Sequence, residues 1–202
     1  KDGRALKTVQ VTILAEQLFA GEQKIRQAVL ELLNWRMPAE LEQKLARQKP
    51  KFDGTYKYFI EGKGYLYRSD QKGNLEKAQQ AFQRAIELEQ GYQGAYVHLA
   101  EVFLEKFVNS KAVSWLNKVE ATAKQLTYIN PNHPLISYLN SLVLSRQGRY
   151  RQAVDLLETS IERNPQHLES YYELADAYDK LGDKTKAEQI YKSAMAMAGN
   201  NS

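Results

Sequence analysis

Apolar and small side chains return along most of this chain at intervals of three and four residues, with polar residues between them. Tyr96, Leu99, Ala100 and Phe103 make one such stripe, and Tyr171, Leu174, Ala175 and Tyr178 make another. This spacing places one apolar face along a helix. A second kind of stripe opens on alanine, at Ala78, Ala112, Ala153 and Ala187, so the intervals are 34, 41 and 34 residues. The copies read Gly73/Ala78/Phe82/Ala85, Ala112/Leu116/Val119, Gly148/Ala153/Leu157/Ser160 and Gly182/Ala187/Tyr191/Ala194. A constant period near 34 comes from helix–turn–helix units that cannot bury their apolar faces alone and therefore stack. The chain is predicted to be all-α, with four antiparallel helix pairs over about residues 55–92, 93–133, 134–167 and 168–201.

The odd interval exceeds 34 by seven residues, which is two helical turns, so a helix can lengthen there without rotating its buried face. The second helix of that unit is expected to absorb it, starting at Ser110 as N-cap, running to about Tyr128 and being the longest repeat helix. Small residues at Ala100, Ser141 and Ala175, with the four alanines, are expected where paired helices cross closely. Proline stops fall at Pro131, Pro134 and Pro165.

Residues 1–54 follow another pattern. Val9, Val11 and Ile13 alternate among threonines, which predicts a strand. From Leu14 the period becomes helical as far as about Trp35, and a second helix is expected from Ala39 to Lys49, between Pro38 and Pro50. A start at Lys1 rather than Met reads as an excised or processed piece, which makes this segment the tail of an upstream domain with two capping helices. Three outcomes are open to an orphan strand there: disorder, recruitment into the helix that follows, or pairing with a second molecule; the alternation favours pairing, which would make a homo-oligomer.

Charge alters the picture only at the N-terminus. Residues 1–51 hold ten Lys and Arg against six Asp and Glu, while 52–202 hold 18 of each. The basic residues are interleaved with Glu and Gln, without a stacking platform of aromatics, so a solvated face is read and no nucleic-acid partner. Cysteine is absent, which excludes disulfides and thiolate metal sites. No apolar run is long enough to span a membrane.

Catalytic chemistry finds no foothold, and no cofactor or metal is predicted. The histidines are His98, His133 and His167; two lie beside Pro131 and Pro165 in turns, and His98 has Glu101 and Glu105 at helical spacing, as in ordinary surface pairs. Gly62-Lys63-Gly64 lacks the spacing and hydroxyl of a phosphate loop.

The phrase Tyr171-x2-Leu174-Ala175-x2-Tyr178…Ala187-x3-Tyr191-x2-Ala194, with Pro165 closing the unit before, resembles the tetratricopeptide repeat over about residues 55–198. The third unit departs at Ser137 and Asn140, the first through an extended turn. The resemblance implies a right-handed superhelix, an α-solenoid whose first helices line a concave binding surface. Carried over position by position, that surface comprises Phe59, Lys63 and Tyr67; Val97, Glu101 and Leu104; Tyr138, Leu142 and Arg146; and Tyr172, Asp176 and Asp179. Family members that grip a C-terminal carboxylate use a Lys–x3–Asn pair; Phe59 and Lys63 stand here instead, which argues against that ligand. A further resemblance, at Tyr56-x2-Phe59-Ile60-x-Gly62-Lys63-Gly64-Tyr65-Leu66, is to junctions in bacterial signalling proteins, where repeats are attached to CadC-type winged-helix regulators, adenylate cyclases or Ser/Thr kinases.

Two functions follow as expectations. The first is a non-enzymatic interaction or sensory module of a bacterial signalling protein, cytoplasmic or the periplasmic part of a membrane-anchored regulator, binding a protein or peptide segment. The second is a self-assembling scaffold with no ligand on that surface.

Overall fold

The computed structural model describes residues 8–12, 18–47 and 49–199. Among them ten helices run in sequence: α1 Leu18–Leu32, α2 Ala39–Arg47, α3 Asp53–Leu66, α4 Asn74–Leu88, α5 Gln93–Ser110, α6 Ser114–Ile129, α7 Ile136–Arg146, α8 Tyr150–Arg163, α9 Leu168–Lys180 and α10 Lys184–Gly199. Two compact units divide the chain, Lys1–Ala95 and Tyr96–Ser202.

In the first unit α3 and α4 form a close pair, and α1 lies against α3. The crossing is set by Gly62, whose absent side chain leaves room for the buried Phe82 ring; a Cβ there would sit 2.7 Å from it. Ala85, Tyr92 and Ala95 are buried beside Tyr58, Phe59 and Ile86. The Tyr56 hydroxyl donates to Glu22 at 3.1 Å, tying α3 to α1.

In the second unit each helix from α6 onward packs on the next, and α7 also touches α9. Ala100, Ser141, Ala153, Ala175 and Ala194 are wholly buried, and Ala187 nearly so, so the small positions lie in the packed interior as their periodicity predicts. Gly148 and Gly182, like Gly73 in the first unit, take positive φ in the turns between paired helices. That left-handed conformation is open to glycine without a Cβ clash, which accounts for the Gly five residues before Ala78, Ala153 and Ala187.

Four expectations are corrected. Residues 8–12 hold neither helix nor strand, and Ile13 lies outside the described residues. A strand is stable only when its N–H and C=O groups find a partner, and the described residues contain no other strand. The longest helix is α5, at 18 residues, while α6 has 16. Aligned on Ala100 and Ser141, α5 runs five residues beyond α7, and the remaining two added residues lengthen the start of α6. Ser110 therefore ends a helix rather than capping one: its hydroxyl turns back to the Lys106 carbonyl at 2.7 Å. Ala112 falls in the turn, and the buried stripe of α6 begins at Leu116 and continues through Val119, Ala123 and Leu126. The last three match Ala153, Leu157 and Ser160 at an interval of 34. The helix itself is unbroken to Ile129.

Candidate functional site

The first helices of the last two pairs, α7 and α9, share a face in the second unit. Its polar centre is a fork between Arg146 and Glu173, with Nη1 donating to Oε2 at 3.1 Å and Nη2 to Oε1 at 3.0 Å. Burial by itself favours loss of the guanidinium charge, but the hydrogen bonds and charge of Glu173 outweigh it and raise the Arg146 pKa further. Beside it the Tyr138 and His167 rings make a T-shaped contact, their centres 4.6 Å apart. Burial, then the charges of Glu173, Glu101 and Glu169, push the Tyr138 phenol well above its usual range, so it stands neutral. Leu142, one turn along α7, is buried.

Farther along the face α9 presents Tyr172, 41% exposed, with Asp176 and Asp179. The Tyr191 ring of α10 lies 6.5 Å from Tyr172. Burial raises the Tyr191 phenol first, and Asp176, Asp179 and Glu173 add to it, so the ring sits in a negative field. Lys180 lies 3.9 Å from Asp176, an exposed pair that leaves most of this charge in place. The surface is therefore two accessible aromatic rings edged by carboxylates.

Of the residues predicted from sequence, the second unit joins Tyr138, Leu142 and Arg146 to Tyr172, Asp176 and Asp179. Tyr138 and Leu142 serve as the packed floor; Tyr172, Asp176 and Asp179 are accessible. Val97 and Leu104 are buried in α5, and Glu101 is taken up by His98 Nδ1 at 2.7 Å. In the first unit Phe59 is partly buried, T-shaped against Tyr92 and tilted against Phe82, with ring centres 5.1 Å and 6.0 Å away. Lys63 Nζ lies 5.7 Å over Phe59 and 5.5 Å over Tyr67, which is 75% exposed.

Sequence reasoning misses Glu173 and Tyr191. Glu173 stands three residues before Asp176 and so shares its face, a spacing that could have found it. Tyr191 fills a packing position in the repeat phrase, yet on α10 its ring is 38% exposed. A cation–aromatic cluster on the lengthened second pair, with Lys106 buried in it, is missed too. Trp115 stacks on Phe103 at 5.9 Å, with Lys118 Nζ 4.4 Å and Lys106 Nζ 4.8 Å from its ring centre.

One grouping imitates a nucleophile and its base. His167 Nδ1 is 2.8 Å from Ser170 Oγ, which is 3.0 Å from Ser160 Oγ, and Glu169 lies 3.5 Å from His167 Nε2. Both serines have no accessible surface, so a substrate cannot reach either hydroxyl. The network instead satisfies buried polar atoms between α8 and α9. His133 Nδ1 similarly accepts from the Leu135 amide at 3.3 Å in its turn. No group of three or more His, Asp or Glu side chains is arranged to hold a metal among the described residues, nor is any helix there long and apolar enough to cross a membrane.

Tetratricopeptide-repeat models match the chain at residues 62–92 and 138–202. No curated protein matches it in sequence. Among solved structures, TTC0263, described as a thermophilic TPR protein in Thermus thermophilus, aligns with a TM-score of 0.64 at 17% identity, over 78% of this chain and 79% of that one. MamA aligns with a TM-score of 0.52 at 15% identity, over 95% of this chain and 98% of that one. At such identities the likeness is one of fold. With helix pairs packed through small residues at the family spacing, the chain carries tetratricopeptide repeats, at residues 62–92 and 138–202.

Proposed function

We propose that the chain is a non-enzymatic protein-interaction module that binds a basic, aromatic-containing peptide or protein segment on the α7–α9 face of its second unit. The observation that carries this reading is the pair of accessible rings, Tyr172 and Tyr191, edged by Glu173, Asp176 and Asp179. Rigid aromatics supply contact area at low entropic cost, and the carboxylates select cationic partners and speed their encounter. Lys63 with Tyr67 in the first unit is a separate contact point. The host we infer is a bacterial signalling or regulatory protein, supported by the resemblance of Tyr56–Leu66 to junctions in such proteins.

The test begins with capture of a partner from a bacterial lysate, followed by titration of the isolated segment. The double change Tyr172→Ala, Asp176→Lys is expected to abolish binding with helicity intact, because losing a contact ring costs about 2 kcal/mol or more and the new charge repels a basic ligand. Unchanged affinity would move the site to another surface.

A further inference from the structure

A cleft of about 320 Å³ opens between α8, α9 and α10. Its lining is Ile161, Leu174 and Ile190 with Tyr171, Ser193 and the two carboxylates Glu158 and Glu162. Tyr171 and Leu174 face away from Tyr172 and Asp176 around α9, so the cleft shares no residue with the face described above.

The polar atoms around it are mostly committed elsewhere. Tyr171 donates to the Pro165 carbonyl at 3.1 Å and Ser193 to the Gln189 carbonyl at 3.1 Å. Glu158 accepts from the Tyr178 hydroxyl at 3.0 Å, which leaves its other oxygen open. Glu158 and Glu162 stand one turn apart on α8, and among the described residues neither has a lysine or arginine at ion-pair distance. Like charges at this spacing repel, and an apolar cleft beside them strengthens the field they cast into it. The volume lies near the lower end of the roughly 300–1,000 Å³ typical of ligand pockets, room for one long side chain rather than a large cofactor.

We infer that this cleft receives an arginine or lysine side chain from a partner protein. The aliphatic stem would lie on Ile161, Leu174 and Ile190, while the cationic head meets Glu158 and Glu162. Long basic side chains divide their surface in this way, with apolar methylenes behind a charged tip. The compensation of two adjacent carboxylates distinguishes this occupant from a purely apolar one.

Methyl-detected NMR on the full chain tests it, with n-butylguanidinium, n-butanol and butyrate as matched probes. Butylguanidinium is expected to give saturable shifts at Ile161, Leu174 and Ile190, with butanol at least about tenfold weaker and butyrate without effect. In Glu158→Gln, Glu162→Gln the advantage over butanol should vanish. Ser193→Arg, on the exposed rim, should block the cleft with its own cation. Absence of saturable shifts in the natural sequence, equal affinity for butanol, or undiminished butylguanidinium binding in the Gln variant would overturn the inference. Failure here leaves the Tyr172 face untouched, since the two are tested by separate residues.

Discussion

At the scale of single residues, this protein depends on what is missing from a side chain as much as on what is present. Gly62 is the clearest case. The Phe82 ring occupies the space where a Cβ would lie, with three ring atoms between 2.7 and 2.9 Å of that position. Phe82 is wholly buried, so the ring cannot swing aside. Gly62→Ala is therefore expected to destabilise the chain by about 1–3 kcal/mol through overpacking, read by chemical denaturation. Gly64→Ala, which meets only the flexible end of Arg68 at 3.6 Å, is the control and should be near neutral or stabilising. In the sequence, Tyr58 and Tyr65 flank Gly62 at helical spacing. That pattern could not say which ring fills the gap, since Phe82 lies on another helix.

At the scale of elements, the recurring turns use the same device three times and then substitute for it. Gly73, Gly148 and Gly182 each take a left-handed conformation, whereas the α5–α6 turn places Lys111 there, at φ 57°. The strain is held by short backbone closure, Lys111 N–H to the Phe107 carbonyl at 2.7 Å. An L-residue pays roughly 1–2 kcal/mol in that region, partly offset by the greater entropy glycine loses on folding. Lys111→Gly is thus expected to raise stability by about 0.5–1 kcal/mol, measured as an upward shift in the denaturation midpoint at constant slope. The missing glycine also explains the misplaced boundary: without that punctuation mark the sequence offered only Ser110, a residue equally able to cap a helix start or bond back to the preceding turn.

At the scale of the whole molecule, stability is spread over many small packing units with few charged groups inside them, and two partly buried histidines add a pH response. Burial lowers the pKa of His133 and of His167 from the ordinary 6.5; for His167 nearby Glu169 and Glu101 oppose the shift without reversing it. The unfolded chain therefore binds protons near pH 6.5 that the native state resists. Their contribution is complete above that pH, falls as the pH drops through 6.5 toward the native values, and changes no further below both. The melting temperature is expected to decline between pH 7.5 and 5.5. Replacing both histidines with glutamine should flatten that decline even where it lowers stability overall; a decline of unchanged size would assign it to other groups.

Periodicity alone determined that the repeats are helical, that their helices pair, and, Ala112 excepted, which small residues lie buried, because those outcomes recur with the repeat and depend on neighbours close in sequence. It also located the acidic, aromatic character of α9, which is written on one helix face. Only the tertiary structure decided the rest. Phe59, Tyr138 and Leu142 occupy surface-facing positions in the repeat register, yet α4 brings Phe82, and the turns before α5 and α9 bring Tyr92 and His167, onto the two rings, and Leu142 is buried, turning predicted contact residues into floor. The seven added residues went mainly into the first helix of their pair because the left-handed Lys111 turn, not the stripe that follows, sets where that helix stops. The Glu158–Glu162 cleft was invisible for the same physical reason: its apolar lining comes from three helices, and no local pattern records which faces meet across a gap.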